Sequence, residues 1–363
     1  MNSPQTSRAY VIAEAGVNHN GDLDLARRLV DAAARAGADA VKFQTFRAED
    51  LVSRHAPKAD YQRITTNPED SQLAMIRQLE LDHAAHRMLR DHCQERGITF
   101  LSTPFDPVSL AFLVTEMGLE TIKLSSGEVT NGPFLVRVGA TGKRVILSTG
   151  MSTLDEIAVA LGALAFGMLE GDATPNPDDF AQARTSLKGA ERLRENVTLL
   201  HCTTEYPAPF AEVNLRAMES LGDTFGLPVG YSDHTPGIAI PIAAVARGAR
   251  VIEKHFTLDR TLPGPDHRAS LEPEELIRMV EAIRQVELAL GDGRKRPMPS
   301  EIGNRDVARK SLVAIAPIRR GALFTTANLG VKRPGNGISP MAYWQWLGCV
   351  ASRDYPLDAL IEP

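Results

Sequence analysis

The sequence predicts an α/β protein: a (β/α)8 TIM barrel followed by a small β-rich unit at the C-terminal end. Three observations predict it. Eight short strand-like runs, each followed by a helix-like segment, alternate over roughly 290 residues, and a barrel of this type takes about 250. The doubly wound open sheet is the structural alternative. It would place a Gly-x-Gly-x-x-Gly fingerprint after the first strand, where "EAGVNHNG" stands instead. Beyond residue 290 the alternation stops, and a polar, Pro-containing stretch gives way to short strands and Gly turns.

Each element has its own justification. "AYVIAEAG" is a short apolar run and the first strand. The stretch "GDLDLARRLVDAAARAGA" sets Leu25, Ala26, Leu29, Val30 and Ala33 at helical spacing, with Asp22 as N-cap and Gly37 past the end. "DAVKFQTF" is strand-like again. The remaining strands are "ITFLSTPF", "TIKLSSGEV", "RVILSTGM", "VTLLHCTTEYPAP", "LPVGYSDHT" and "RVIEKHFTL". Helices are expected near 82–96, 107–117, 132–141, 153–169, 212–225, 236–247 and 272–290. The organisation that follows is a barrel over 1–290, a linker over 291–310 and a compact β domain over 311–363, which carries both tryptophans. At about 55 residues that last domain has a marginal core, so it is expected to pack on the barrel or on a partner subunit.

Composition excludes several classes. Hydrophobic residues make up 43% and charged residues 23%, as in a globular enzyme. A net charge of −5 gives no general affinity for nucleic acid or an anionic membrane. No apolar run approaches the ~20 residues of a membrane span, and "MNSPQTSRAYVIAEAG" has no signal-peptide core. Cys93, Cys202 and Cys349 are far apart with no Cys-x-x-Cys. That pattern points to a reducing cytoplasm rather than a disulfide framework.

The chemistry is concentrated at the strand ends. The run "VIEKHF" (251–256) places Glu253, Lys254 and His255 inside an apolar strand, where charges need partners. In a barrel the active site lies at the C-terminal ends of the strands, and side chains alternate between two faces. On that alternation Lys42 and Gln44 share a face, as do Gly230, Ser232 and His234, and as do Val251, Glu253 and His255. Lys123, Ser125 and Ser148 fall on the inward face by the same rule. Two lysines with the hydroxyls of Thr103, Ser125, Ser126 and Ser148 suit a small, doubly anionic ligand such as a phosphate carrying a carboxylate. His234 and His255, on neighbouring strands, suit a divalent metal with open positions. Glu14 on the first strand is placed to act as acid or base. By opposite parity, Asp233 is read as a cap for a helix beginning at Pro236 and Lys254 as an interface or salt-bridge residue; Cys202 is read as a small buried residue.

The motifs "IAEAGVNHNGD", "AVKFQTF", "STPFD", "IKLSSGE", "ILSTGM", "HCTTEYPAP", "GYSDHT", "EKHFT" and "GPDHRASLEP", in this order, resemble the N-acylneuraminate (sialic acid and legionaminic acid) synthases. "ARKSLVA" followed by "VKRPGNGISP" resembles that family's C-terminal antifreeze-like (SAF) domain. The resemblance implies condensation of phosphoenolpyruvate with an N-acylated mannosamine-type sugar, giving a nine-carbon 2-keto acid and phosphate. It implies that Lys42, Thr103, Lys123, Ser125 and Ser148, with Ser232 beside them, hold phosphoenolpyruvate. His234 and His255 become metal ligands, for Mn2+ or, alternatively, Mg2+ or Co2+. Glu14 and Gln44 match positions beside the reacting centre, and Glu253 stands with them as a catalytic candidate. Tyr206 and Asp266 match sugar-binding positions, as does Thr204, where some members carry Asn. Arg333 in "KRPGNG" matches an arginine that reaches the neighbouring subunit's site in a domain-swapped homodimer.

The acceptor stays open between N-acetylmannosamine and a 2,4-diacetamido-2,4,6-trideoxy-mannose. Three other classes are distinguishable. A 3-deoxy-manno-octulosonate-8-phosphate synthase type would not need the C-terminal domain. A metal-dependent hydrolase would carry several His and Asp ligands, with paired His on the first strand. A non-enzymatic carbohydrate- or ice-binding protein is suggested by the small domain alone.

Overall fold

The computed structural model describes residues 8–362 apart from 68, 172 and 177. The chain divides into two compact units, one through Asp292 and one from Gly293 on.

The first unit is a near-closed barrel of eight parallel strands: β1 (Tyr10–Gly16), β2 (Ala40–Thr45), β3 (Thr99–Pro104), β4 (Thr121–Leu124), β5 (Arg144–Ser148), β6 (Val197–His201), β7 (Val229–Asp233) and β8 (Val251–His255). The ladder runs β3-β2-β1-β8-β7-β6-β5-β4, so the last strand pairs with the first. In register, Ile12 faces Glu253 and Glu14 faces His255. All eight expected strands form. Their alternation produces two layers inside the barrel. Ile12, Ala40, Leu101, Ile146, Leu200 and Val251 make a separate apolar plug. One pleat further along the strands stand the charged and hydroxyl residues of the site. The opposite faces carry Val11, Val41, Phe43, Ile122, Leu147 and Ile252 into the larger core under the helices.

The first helix forms as its pattern dictates. It spans Leu23–Arg35, the Asp22 carboxylate accepts from the Asp24 and Leu25 N–H groups, and Gly37 takes φ +73° just beyond the end. The helices expected near 82–96, 132–141, 153–169 and 272–290 form as His83–Arg96, Gly132–Ala140, Leu154–Glu170 and Pro273–Leu290, while three others are shorter or split. The expected 107–117 helix is Pro107–Ala111 continued by a π-helical turn at Phe112–Glu116. The expected 212–225 helix begins only at Ala217, after a 3-10 turn at Phe210–Glu212. Helices Asp179–Thr185 and Leu187–Asn196 before β6 lie outside the expected set. So do Ala48–Leu51, Asp60–Thr65 and Gln72–Gln78, which make β2-to-β3 a long excursion where a few residues usually suffice.

Two readings at the barrel wall are settled by geometry. The helix after β7 spans Ala239–Ala246, so Asp233 does not cap a helix starting at Pro236. Its carboxylate accepts from Lys254 Nζ at 2.6 Å and from Thr235 Oγ1 at 2.9 Å. Lys254 and Asp233 are fully buried partners, so Lys254 is a salt-bridge residue. Neither charge is left alone, which is the condition for burying them.

The second unit has a two-stranded antiparallel sheet, β9 (Ser311–Ala314) with β10 (Leu329–Lys332). Its core is Leu312, Ala314, Ile318, Phe324, Leu329, Ala351, Tyr355 and Ile361, with the Trp346 ring 5.6 Å from Phe324. The stretch expected as a linker contains a helix, Pro299–Ala308, and groups with this unit. Among the described residues no helix is long and apolar enough to cross a membrane.

Candidate active site

A cavity of about 230 Å³ opens at the C-terminal ends of the strands. All the expected site residues of the barrel line it. Arg333 is exposed on the second unit.

Lys42 is the hub. Its ammonium lies 2.7 Å from Glu14 Oε2, donates to Thr103 Oγ1 at 2.9 Å, and stands 3.8 Å from Glu253 Oε2. Lys123 lies 3.4 Å from Glu253 Oε1 and donates to Ser148 Oγ at 2.7 Å. Ser232 Oγ donates to Glu253 Oε1 at 2.9 Å. Glu253 on β8 thus reaches Lys42 on β2 and Lys123 on β4, strands that are not its neighbours. Only inward-pointing side chains can do this, so the contacts themselves establish the inward face.

The charges shape one another. Burial pushes the Glu14 carboxyl up; Lys42 pulls it down and Glu253 pushes it up again, leaving it at about 7. Burial pushes Glu253 the same way, but two ammonium groups outweigh it and hold this carboxyl well below its usual range. Burial likewise opposes the Lys42 charge, but Glu14 and Glu253 overcome it and raise the lysine above its ordinary value. Lys123 is lowered, chiefly by burial. The two carboxylates therefore differ: Glu253 is held ionised between the lysines, while burial makes Glu14 much easier to protonate. Gln44 Nε2 sits 3.5 Å from Glu14 Oε1. Gly16 ends β1 at φ +53°, where an added Cβ would come within 3.2 Å of Glu14 Oε1.

The histidines occupy the adjoining side. Their ring centroids are 5.5 Å apart, and Tyr206 stacks 4.2 Å from His234. His234 Nδ1 contacts the Thr203 carbonyl at 2.6 Å. A carbonyl only accepts, so Nδ1 carries the proton and Nε2 the lone pair. His255 Nδ1 is buried without a hydrogen-bond partner, 3.8 Å from Asp266 Oδ2. Burial holds both imidazoles below their usual pKa, His255 most strongly, and so neutral. Burial also raises Asp266 to about 6. Two neutral imidazoles with an unpartnered nitrogen fit a divalent ion. Among the described residues no group of three His, Cys, Asp or Glu is arranged to hold one, so substrate or water must complete any coordination sphere.

The segments just past the strands contribute as well. Ser126 and Cys202 line the cavity, 3.1 Å apart, so Cys202 is a wall residue as well as a buried one. Ser125 lines it too. The Thr204 hydroxyl is buried without a hydrogen-bond partner. A Cβ on Gly150 would sit 2.2 Å from that oxygen and 2.8 Å from Cys202 Sγ, so the loop after β5 approaches closely only as glycine. The apolar wall of Val17, Ile76, Leu79 and Phe105 is also outside the expected set. No alternation in the sequence marks it, because its members come from three separate connections.

Comparison with known proteins follows this geometry. The chain is 51% identical to the N,N'-diacetyllegionaminic acid synthase of Campylobacter jejuni, over 98% of this chain and 99% of that protein. It is 35% identical to the human N-acetylneuraminate-9-phosphate synthase, over 89% and 82%. A crystal structure of the N-acetylneuraminic acid synthetase of Leptospira borgpetersenii, in complex with citrate, superposes with a TM-score of 0.67 at 34% identity, covering 82% of this chain and 90% of that one. Residues 29–295 match the model of the NeuB family. With that match covering well over half of the chain, and relatives this similar along nearly the whole chain, the protein belongs to the NeuB family.

Proposed function

We propose that the protein is a phosphoenolpyruvate-dependent synthase. It joins phosphoenolpyruvate to an N-acylated mannosamine-type sugar and yields a sialic-type nonulosonic acid and phosphate. The observation that carries the reading is one cavity with two unlike halves. Lys42 and Lys123, with Thr103 and Ser148, offer charge and hydroxyls to a compact anion. His234 and His255 beside them present neutral imidazoles to an aldehyde's environment.

In this reading Lys42, Lys123, Thr103, Ser125, Ser148 and Ser232 bind and orient phosphoenolpyruvate. Glu253 holds the two lysines in place. C3 of phosphoenolpyruvate attacks the open-chain sugar's aldehyde, water adds at C2, and phosphate leaves. Glu14, with Gln44 at its carboxyl, holds or releases a proton close to the reacting atoms. His234 and His255 would hold the divalent metal, Mn2+ with Mg2+ or Co2+ as alternatives. When bound, it supplies polarisation of the aldehyde oxygen. Tyr206, Thr204 and Asp266 wall the sugar's side. Preorganised charge and two substrates held together provide the acceleration.

Phosphate release from phosphoenolpyruvate is expected with N-acetylmannosamine or a related N-acyl sugar and not without sugar, with a nonulosonic acid seen by mass spectrometry. Release independent of sugar, or none with any N-acyl sugar, overturns the reading. A second reading of the acceptor, 2,4-diacetamido-2,4,6-trideoxy-mannose, is favoured by the identity to the Campylobacter protein.

The same reading makes Gly293–Pro363 an antifreeze-like domain whose Arg333 serves a second copy's site in a domain-swapped homodimer. Charge supports docking on a barrel. This unit carries eleven Lys and Arg against five Asp and Glu, a net of +6 in a chain of net −5, which leaves −11 for the barrel. Glu14→Ala and Arg333→Ala chains, each nearly inactive, are expected to regain activity when unfolded together and refolded. A swapped arm gives the mixed dimer one site with both residues intact. Mixed dimers confirmed by mass but showing no rescue rule this out. The cysteines fit a reducing cytoplasm: Cys93, Cys202 and Cys349 are all unpaired.

A further inference from the structure

The segment "GVNHNG" (16–21), at and after the end of β1, has three polar side chains, and each has a definite partner outside the site cavity. His19 Nδ1 accepts from the Gly21 N–H at 3.0 Å, which keeps the loop folded on itself. The two asparagines reach the connection between β8 and the helix Pro273–Leu290, the segment that carries Asp266. Asn18 Nδ2 uses both hydrogens there, donating to the Phe256 carbonyl at 2.8 Å and to Ser270 Oγ at 2.9 Å. Ser270 Oγ in turn donates to the Asp266 carbonyl at 2.7 Å. Asn20 Nδ2 donates to the Pro263 carbonyl at 2.7 Å, and its Oδ1 lies 3.2 Å from His267 Nε2. That oxygen only accepts, so Nε2 carries the hydrogen and Nδ1 accepts from the Thr257 hydroxyl at 2.6 Å. Asn18, His267 and Thr257 are almost fully buried. Asp266 is thus bracketed on both sides by contacts that lead back to the β1 loop. Close packing does not do this work, because residues 263–265 line a second cavity, of about 370 Å³. Gly264 takes φ +146°, where an added Cβ would come within 2.7 Å of Asn20 Oδ1 and of the His267 ring, so the two loops close only on glycine.

We propose that Asn18, Asn20 and His267 are positioning residues for the acceptor: they clamp the connection after β8 to the loop after β1 and so hold Asp266 at the sugar's side of the cavity. The proposal rests on the functional reading above, which gives Asp266 to the sugar. Asp266 lines the cavity with Oδ2 3.8 Å from His255 Nδ1. β1 and β8 are paired, with Glu14 opposite His255, so one clamp fixes Asp266 against both of those residues. The groups assigned to phosphoenolpyruvate on β2 to β5, Lys42, Thr103, Lys123 and Ser148, are not tied to it. Releasing the clamp therefore moves Asp266 and leaves those four in place. A misplacement of about 1 Å is enough to cost up to about 100-fold in rate.

The test uses the full chain, phosphoenolpyruvate and whichever of the two acceptor sugars named above turns over. Asn20→Gly removes the side chain and keeps a backbone that already sits at φ +50°. Gly264→Ala independently pushes the two loops apart. Each is expected to lower kcat/KM for the sugar by about 10- to 100-fold, with KM for phosphoenolpyruvate unchanged. Asp266→Ala supplies the readout that a merely structural role would not move. In that background Asn20→Gly is expected to add little further loss, because residues that act through one another are not additive. An unchanged kcat/KM for the sugar in Asn20→Gly and in any folded Gly264→Ala overturns the clamp. So does an equal rise of KM for phosphoenolpyruvate, or a full additional loss from Asn20→Gly in the Asp266→Ala chain. Phosphate release by the natural chain with neither sugar overturns the functional reading instead, and is seen before any variant is made.

Discussion

His234→Ala and His255→Ala are each expected to lower activity by about 1,000-fold or more and to lose the divalent ion proposed to bind there, while the thermal midpoint stays close to that of the natural chain. The magnitude follows from the role. A metal that polarises a carbonyl supplies several kcal/mol, and about 1.4 kcal/mol is tenfold in rate. The described residues offer two imidazoles and no third protein ligand, so losing either leaves one nitrogen and the affinity collapses. Both rings are held neutral by burial, so neither substitution leaves a counter-charge stranded. The main structural cost is the Thr203 carbonyl, which loses its donor in His234→Ala, about 1 kcal/mol. Metal content per chain after gel filtration is the decisive measurement, with Mn2+ add-back after chelation as the activity control. Full retention of the ion in both variants sinks the assignment of these residues as its ligands.

Much of this site is legible in the strands because period-2 geometry is rigid. Lys42, Lys123, Ser148, Ser232, Glu253 and His255 follow from parity alone, and the Glu253 contacts across the barrel show why a run such as "VIEKHF" tolerates three ionisable groups. Glu253 faces Lys42 and Lys123 inside, and His255 stands beside it as a neutral imidazole. Lys254 turns outward and is met by Asp233. Legibility ends where the backbone leaves the strand. Thr204 and Tyr206 lie past β6 in a loop, where alternation no longer predicts direction. The part of the β2-to-β3 connection before His83 reads as featureless because its helices are four to seven residues long, too short for a 3.6-residue period to declare itself. Its apolar residues acquire meaning only against Val17 and Phe105, distant in sequence. The helix Pro299–Ala308 is hidden differently: its sequence is polar, and none of its residues is buried, so no amphipathic stripe distinguishes it from a linker.

Lys42→Ala and Lys123→Ala are each expected to raise KM for phosphoenolpyruvate about ten- to over a hundred-fold, with a much smaller change for the sugar. Each removes a charge-assisted contact worth roughly 1.5–3 kcal/mol. The two variants differ in what they leave behind. Without Lys123, Glu253 still has Lys42 at 3.8 Å and the Ser232 hydroxyl at 2.9 Å, so the local charge remains compensated. Without Lys42, Glu14 and Glu253 both lose their shared cation inside a buried cavity. Glu14, already at about 7 with the lysine present, then takes up a proton at neutral pH. Glu253 keeps Lys123 at 3.4 Å, and protonation spares the fold an unpaired charge at Glu14, but the group proposed to exchange a proton is lost. Lys42→Ala is therefore expected to lower kcat in addition to raising KM, whereas Lys123→Ala acts mainly on KM. Steady-state kinetics with each substrate varied in turn separate these effects. An unchanged KM for phosphoenolpyruvate in both variants, with a raised KM for the sugar, contradicts the assignment of the lysines to the anion. An equal fall of kcat in the two variants contradicts the division of labour between Glu14 and Glu253.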